Sequence, residues 1–134
     1  MSTPGVLARC PLLRFSEDEL EHSLRGFPEQ ARAASLALRE KFSEENLEVF
    51  LYGIFLFYLP QGTKAPNEKP SGPVNLREDL GLDSLSLSEA MFKIEELFDV
   101  RIENTEIAEV TTLSDAGTLL FAKVTEEPPA ATDE

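Results

Sequence analysis

The apolar run over residues 47–59 constrains the fold more than any other part of this sequence. Apart from Glu48 and Gly53, all of its side chains are apolar or aromatic, and Pro60 prevents a helix from continuing beyond it. Ser43, followed by two acidic residues, is typical of a helix N-terminus. A helix that is apolar all round has to be covered on most of its faces. We therefore expect the preceding helices to pack against it.

Four aromatic side chains of this run recur at roughly helical spacing: Phe50, Phe55, Phe57 and Tyr58. Such a row can line a ligand cavity, but in most helices it belongs to the hydrophobic core. We therefore assign the row to the core.

The segment before the run predicts two further helices. Ser16 and Glu19 have the spacing of a capping box, and the apolar residues that follow indicate a helix over 16–25. Gly26 ends that helix, and a second one is expected over 28–41 because apolar residues recur there three and four positions apart. Residues 1–15 show no sustained period and are expected to form an arm.

A second strongly periodic segment covers residues 84–98. Its apolar side chains fall four, three and four positions apart, at Leu87, Met91, Ile94 and Phe98. This spacing places them on one side of a helix, and the other side is mainly acidic. The sequence therefore predicts an amphipathic helix with one solvent-exposed, acidic face.

The remaining segments are shorter or contain turn residues. Residues 61–74 include several prolines and glycines and predict a long surface loop. A single helical turn is expected around Ile107, and a last helix over 113–124 with a threonine as its cap. Residues 125–134 are acidic and contain prolines, which is typical of a disordered tail.

Composition and charge restrict the classes of function. The chain has 134 residues, 42% of them hydrophobic, as in a globular protein with one domain. Twelve Lys and Arg against 25 Asp and Glu give a net charge of −13, which disfavours nucleic acid and anionic lipid and favours partners with basic patches. No apolar run is long enough for a membrane span. Cys10 is the only cysteine, so we expect no intramolecular disulfide and no thiolate metal site, in agreement with the cytoplasm.

Ser84 stands where the helix over 84–98 begins. The residues before it include Gly81, which suits a turn, so the hydroxyl of Ser84 is expected to be exposed at the mouth of the helix. Unpaired backbone N–H groups and the positive end of the helix dipole favour a phosphate at such a position. Ser84 is therefore a candidate for a phosphoester.

The sequence around Ser84 resembles that of the acyl carrier proteins. The similar segments are Glu78-Asp79-Leu80-Gly81-Leu82-Asp83-Ser84-Leu85, Ile94-Glu95-Glu96-Leu97-Phe98-Asp99, Ile102, and Val110-Thr111-Thr112-Leu113. The resemblance implies an all-α fold: the acyl-carrier-like four-helix bundle of three longer helices and one short helix, here with additional N-terminal helices. It divides the chain into an N-terminal arm with extra helices over 1–42, a carrier domain over 43–124 and a disordered acidic tail over 125–134.

The same resemblance implies a function. In this family a phosphopantetheinyl transferase moves 4′-phosphopantetheine from coenzyme A to a serine, here Ser84, and the thiol of the arm carries acyl groups as thioesters. Asp83 would assist the transferase and its metal ion, and Leu85 would give partners an apolar contact. The acidic recognition face would consist of Glu89, Glu95 and Glu96. The expected partners are the transferase and acyl synthases and acyltransferases with basic patches, in fatty acid, polyketide or related lipid biosynthesis, and the chain is expected to act as a cytoplasmic monomer.

Several positions depart from the family pattern. Ser86 and Leu87 stand where many members have an acid and a small polar residue, and Lys93 interrupts the acidic helix. These departures bear on the identity of the partner enzymes more than on the modification. The N-terminal helices also exceed the minimal bundle, and they either cover the apolar helix or form a dedicated docking surface.

Two other functions are compatible with parts of the sequence. The block Gly-Leu-Asp-Ser-Leu superficially resembles that of the Gly-Asp-Ser-Leu hydrolases, but a serine nucleophile needs a positioned histidine. His22 is the only histidine, and it lies upstream of the serine. We therefore expect no catalytic residue and no enzyme activity. The alternative to a carrier is an unmodified acidic helical module that binds partners through residues 89–96.

Overall fold

The computed structural model describes residues 10–60 and 69–126, and it confirms the expected all-α fold. In chain order the helices are a 3₁₀ helix Pro11–Arg14, α1 Glu17–Ser23, α2 Glu29–Glu40, α3 Glu44–Phe57, α4 Ser84–Phe98, α5 Asn104–Ala108 and α6 Leu113–Glu126. Among the described residues, the only extended pairing is an isolated antiparallel bridge between Asn75 and Thr112. No helix in these two ranges has both the length and the apolar character that a membrane crossing requires.

Local sequence rules place most helix ends correctly. α4 covers the predicted residues 84–98. α1 begins with the expected capping box, in which the Oγ of Ser16 accepts from the backbone N–H of Glu19 at 3.1 Å and the Glu19 carboxylate accepts from Ser16 N at 2.8 Å. The 3₁₀ helix was not expected within the predicted arm, and Pro11 suits its first position because proline needs no N–H partner there.

The last helix runs slightly further than predicted. α6 ends at Glu126, so residues 125 and 126 belong to the helix and not to the tail. The hydroxyl of Thr125 donates to Phe121 O at 2.8 Å, one helical turn back. The rest of the predicted tail, the arm before Cys10 and residues 61–68 of the predicted loop lie outside the described residues.

α3 lies at the centre of the molecule, as its apolar composition requires. α2 crosses it at very close range, since a Cβ added to Gly53 would lie 2.8 Å from the Cβ of Ala31. α6 packs on another side of α3. From α4, the ring of Phe98 meets Phe50 edge to face, with the ring centroids 5.7 Å apart. α2 thus covers part of the apolar helix, as one of the two hypotheses for the N-terminal helices requires.

The aromatic row of α3 is only partly core. Phe50 and Phe55 are fully buried, as predicted. Phe57 is 44% exposed, because it lies at the C-terminal end of α3, where fewer elements cover the helix. Its ring stacks on Phe27, with centroids 4.0 Å apart, and Tyr58 meets both rings edge to face. These contacts account for the row as packing between α3 and the turn before α2.

The N-terminal segment also contacts α4. The guanidinium of Arg14 donates to the backbone carbonyl of Glu96 at 2.7 Å and to that of Leu97 at 3.2 Å. These carbonyls belong to the last turn of α4, where a cation is favoured by the helix dipole. Nearby, the ammonium of Lys93 lies 5.7 Å from the centroid of the Phe27 ring. One edge of α4 is therefore held by residues that precede α2.

Candidate functional site

A hydrogen-bonded turn over residues 74–82 leads into α4. The Oδ1 of Asn75 accepts from the backbone N–H of Arg77 at 3.0 Å and of Glu78 at 2.8 Å, and Asp79 Oδ2 accepts from Asn75 N at 2.8 Å. Two backbone hydrogen bonds of 2.9 Å attach the same turn to the start of α6. Its apolar side chains are all buried: Val74, Leu76, Leu80 and Leu82. The turn is therefore a rigid support for the residues that follow it.

Gly81 gives this turn its direction. Its φ of 91° lies in the left-handed region that favours glycine, and its N–H donates to the carbonyl of Arg77 at 3.0 Å. The chain then extends through Leu82 to Asp83, which has φ −96° and ψ −179°. This conformation places Asp83 at the N-cap position of α4.

Asp83 caps the first turn of α4. Its Oδ1 accepts from Ser86 N at 2.7 Å. This hydrogen bond lowers the pKa of the Asp83 carboxyl, with smaller contributions from the Ser86 hydroxyl and from the positive charge of Arg77. The carboxylate is therefore ionised at neutral pH and fixes the entry of the chain into the helix. The role that the sequence predicts for Asp83 toward a transferase and its metal ion stays a prediction.

Ser84 is the first residue of α4, and its side chain is exposed. Its Oγ accepts a hydrogen bond from the Nη2 of Arg77 at 3.3 Å. The unpaired N–H groups of the first helical turn and a guanidinium thus lie at the same hydroxyl. Both features favour an anion attached to that oxygen.

The exposed face of α4 combines two large apolar side chains with carboxylates. Leu85 is 68% exposed and Phe92 is 74% exposed, and the two are separated by two helical turns. The side chains of Glu89 and Glu96 are exposed as well. Exposed apolar side chains with charged neighbours are a common feature of surfaces that dock partners.

One family model matches this part of the chain: residues 63–120 match the model described as phosphopantetheine attachment site. These residues are thus similar to a phosphopantetheine attachment domain. The resemblance to the acyl carrier proteins is thereby confirmed, and a domain of this family is the attachment site of covalently bound 4′-phosphopantetheine. Neither the comparison with curated proteins nor that with solved structures gave a match.

The matched residues 63–120 contain α4, α5 and most of α6, and the residues of the Ser84 site fit a phosphopantetheine group. A phosphodiester needs an accessible hydroxyl and benefits from donors and positive charge nearby. Ser84 supplies the hydroxyl, the helix N-terminus supplies amides, and Arg77 supplies the charge. Once attached, the arm provides a terminal thiol that forms thioesters. Domains of this family act as carriers rather than as catalysts.

Glu95 differs from the other two predicted recognition residues. Its Oε2 accepts from the backbone N–H of Ile102 at 2.6 Å, and the side chain is half-buried. Glu95 therefore holds the link after α4 in place. Glu89 and Glu96 point to the surface, and Leu85 lies on that surface too. The roles of all four residues toward partners stay predictions.

The three departures from the family pattern lie away from the exposed face. Leu87 is buried in the core, and Ser86 is 9% exposed, with its backbone N–H bonded to Asp83. The ammonium of Lys93 pairs with Glu96 at 3.8 Å and lies over the Phe27 ring. Lys93 therefore turns toward the N-terminal segment, and its ammonium also reaches Glu96 at the edge of the acidic face.

Two residues of the site were missed from the sequence. Arg77 precedes Ser84 by seven positions in a turn, where no periodic pattern connects the two side chains. Phe92 lies outside the apolar stripe of α4, and its distance of seven residues from Leu85 was the available indication that both share a face.

Proposed function

We propose that the protein is an acyl carrier protein whose phosphopantetheine arm is attached to Ser84. The observation that carries this proposal is the place of Ser84 within the matched residues 63–120. It is exposed at the first position of a 15-residue helix, with a guanidinium 3.3 Å from its oxygen. A transferase that approaches from solvent reaches this hydroxyl without opening the fold.

The other serines of the matched segment are Ser71, Ser86, Ser88 and Ser114. None of them combines exposure, a helix start and a positive neighbour. Ser71 lies outside the helices, Ser86 is nearly buried and Ser88 lies inside α4. Ser114 is exposed at the start of α6, but the neighbouring Asp115 accepts from Thr111 N at 3.0 Å and from Thr112 N at 3.1 Å. Unlike Ser84, Ser114 receives no hydrogen bond from a basic side chain among the described residues.

In the modification step, this protein holds the hydroxyl of Ser84 where the transferase can reach it. The bond that forms joins Ser84 Oγ to the phosphorus that carries pantetheine. The bond that breaks is the diphosphate P–O bond of coenzyme A, adenosine bisphosphate leaves, and the serine proton passes to a base on the transferase. Asp83 holds the first turn of α4 so that the oxygen stays at its position. The transferase supplies the catalytic groups.

The partner surface that we propose is the exposed face of α4. Leu85 and Phe92 would enter apolar pockets, and Glu89 and Glu96 would face basic patches on acyl synthases and acyltransferases. Charges at the edge of an interface mainly speed association and select partners. Binding should weaken as salt screens them, which suits a carrier that has to leave each enzyme again.

The test is intact mass after co-expression with a phosphopantetheinyl transferase. We expect wild type to gain the mass of one phosphopantetheine and Ser84→Ala to gain none. Ser88→Ala and Ser114→Ala are matched controls, because each removes one exposed serine hydroxyl from a helix of the same domain. Both controls should be modified as wild type is. Modification of Ser84→Ala, or no modification of wild type, would refute the proposal.

A second candidate function is an acidic interaction module that is never modified. The exposed pair Leu85 and Phe92 favours it, because such a face can bind partners without an arm. An unmodified wild type that still binds an acyl synthase would support this alternative.

For the carrier, we propose a cytoplasmic monomer that serves fatty acid, polyketide or related lipid biosynthesis. Loading of the modified protein by a panel of acyl-transferring enzymes would identify the cargo.

A further inference from the structure

Arg77 differs from the other basic residues near the carrier site. Residues 75–124 contain four basic side chains against eleven acidic ones. Three of the four form ion pairs: Lys93 with Glu96, Arg101 with Glu103 and Lys123 with Glu106. Arg77 has no carboxylate within ion-pair distance among the described residues, although acidic side chains outnumber basic ones in residues 75–124. Its hydrogen bond goes to the hydroxyl of Ser84 instead.

The neighbouring carboxylates are engaged elsewhere. Asp79 accepts from Asn75 N at 2.8 Å, and Asp83 accepts from Ser86 N at 2.7 Å. Both bonds hold the backbone of the turn and of the first helical turn. The positive charge of Arg77 is therefore close enough to attract Asp83 and help lower its pKa, yet Asp83 does not capture the guanidinium.

The backbone of Arg77 is fixed although its side chain is exposed. Its N–H donates to Asn75 Oδ1 at 3.0 Å, and its carbonyl accepts from Gly81 N at 3.0 Å. The buried Leu76 beside it anchors the same turn. The guanidinium is thus carried on a rigid support, and only the side-chain torsions have to be ordered when it binds an anion.

We infer that Arg77 binds the phosphodiester of the arm and positions the end of the arm that is attached to Ser84. This inference rests on the proposed attachment at Ser84. The oxygen to which Arg77 donates is the atom that would become the ester oxygen, so the negative phosphate is attached directly beside the guanidinium. Arginine can bind two phosphate oxygens at once through its planar fork, whereas lysine acts as a point charge. Arg77 is a positioning residue and takes no part in forming the bond.

The inference is tested by phosphorus NMR of the modified protein, after intact mass has shown that each sample is modified. We compare wild type with Arg77→Gln and Arg77→Lys. Arg101→Gln is the matched control, because Arg101 is an exposed arginine of the same domain that is paired with Glu103. Spectra are recorded at low salt and at about 1 M salt, where the screening length is about 3 Å.

We expect the phosphodiester resonance of wild type and Arg101→Gln to move when salt is added, because screening weakens the contact. In Arg77→Gln the phosphodiester resonance at low salt should already lie near the position that wild type reaches at high salt. In Arg77→Lys the low-salt resonance should lie between those of wild type and Arg77→Gln. Equal resonances and equal salt responses in wild type and Arg77→Gln would overturn the inference while leaving the attachment intact. Absence of any mass gain in wild type would instead overturn the attachment at Ser84, and this inference with it.

A second measurement needs no variant and covers the case in which Arg77→Gln is not modified. The side-chain N–H resonances of arginine are compared between the unmodified and the modified wild-type protein. We expect the resonance of Arg77 to shift on modification and that of Arg101 to stay. An unchanged Arg77 resonance in fully modified protein would overturn the inference.

Discussion

Gly53→Ala tests the close crossing of α2 and α3. A Cβ at residue 53 would lie 2.8 Å from the Cβ of Ala31 and 3.0 Å from its Cα. Contacts this short with backbone atoms require the two helices to move apart. Overpacking of a core typically costs about 1–3 kcal/mol, and because backbone atoms have to yield at this site we take the upper part of that range, about 2–3 kcal/mol. Replacing glycine by alanine inside a helix returns about 1 kcal/mol, so we expect a net loss of about 1–2 kcal/mol.

Gly117→Ala is the matched control. A Cβ at residue 117 in α6 would lie 3.0 Å from the Cγ of Glu48, which belongs to a flexible, half-buried side chain that can rotate away. The gain in helix propensity should then equal or exceed the cost of the contact, so we expect no loss of stability. The two substitutions add the same methyl group, and they differ in whether backbone or side chain has to yield.

Thermal unfolding followed by circular dichroism measures both variants. A loss of 1 kcal/mol corresponds to about 4 °C for a domain of this size, so Gly53→Ala should unfold about 4–8 °C below wild type. Ala31→Gly should cost less stability in the Gly53→Ala variant than in wild type, since in the variant it also removes one of the two shortest contacts. A melting temperature of Gly53→Ala equal to or above that of wild type would refute the close packing of α2 on α3.

Three further perturbations test other contacts. Phe98→Ala removes the ring that meets Phe50 in the core, and urea unfolding should show a loss of about 3–5 kcal/mol; a loss below 1 kcal/mol would contradict that packing. Arg14→Ala removes two hydrogen bonds to the last turn of α4 and should cost about 1 kcal/mol, whereas an unchanged urea midpoint would contradict the contact. Hydrogen bonds from two backbone N–H groups lower the pKa of Asp115, so its contribution to stability is complete at neutral pH and is lost as the pH falls below about 4. Asp115→Asn should therefore lose less stability than wild type between neutral and acid pH in urea titrations, and an equal loss would contradict this assignment.

The elements that sequence could predict are those governed by local rules. The bounds of α4 follow from its apolar spacing and the turn before it, and the capping box of α1 involves residues only three positions apart. The sequence also indicates Ser84, because a helix start and the glycine before it are both visible there. The sequence also predicts that a preceding helix packs on α3, since an apolar helix needs cover, but it does not predict how closely α2 crosses it.

The remaining features depend on contacts between distant parts of the chain. Arg14 reaches the end of α4 across more than eighty residues, and nothing near Arg14 in the sequence indicates that target. Lys93 turns toward Phe27 because the N-terminal segment offers it a ring. Glu95 is drawn inward by the free N–H of Ile102. Only the folded chain shows which charged side chains of α4 remain available to partners.

The central claim is that the phosphopantetheine arm is attached to Ser84, and locating the added mass in the sequence tests it most directly. The protein is co-expressed with a phosphopantetheinyl transferase and digested, and the modified peptide is fragmented in a tandem mass spectrometer. The fragments should place the added mass on the residue between Asp83 and Leu85, which is Ser84. Added mass on Ser86, Ser88 or any other residue, or a peptide without added mass, would contradict the account.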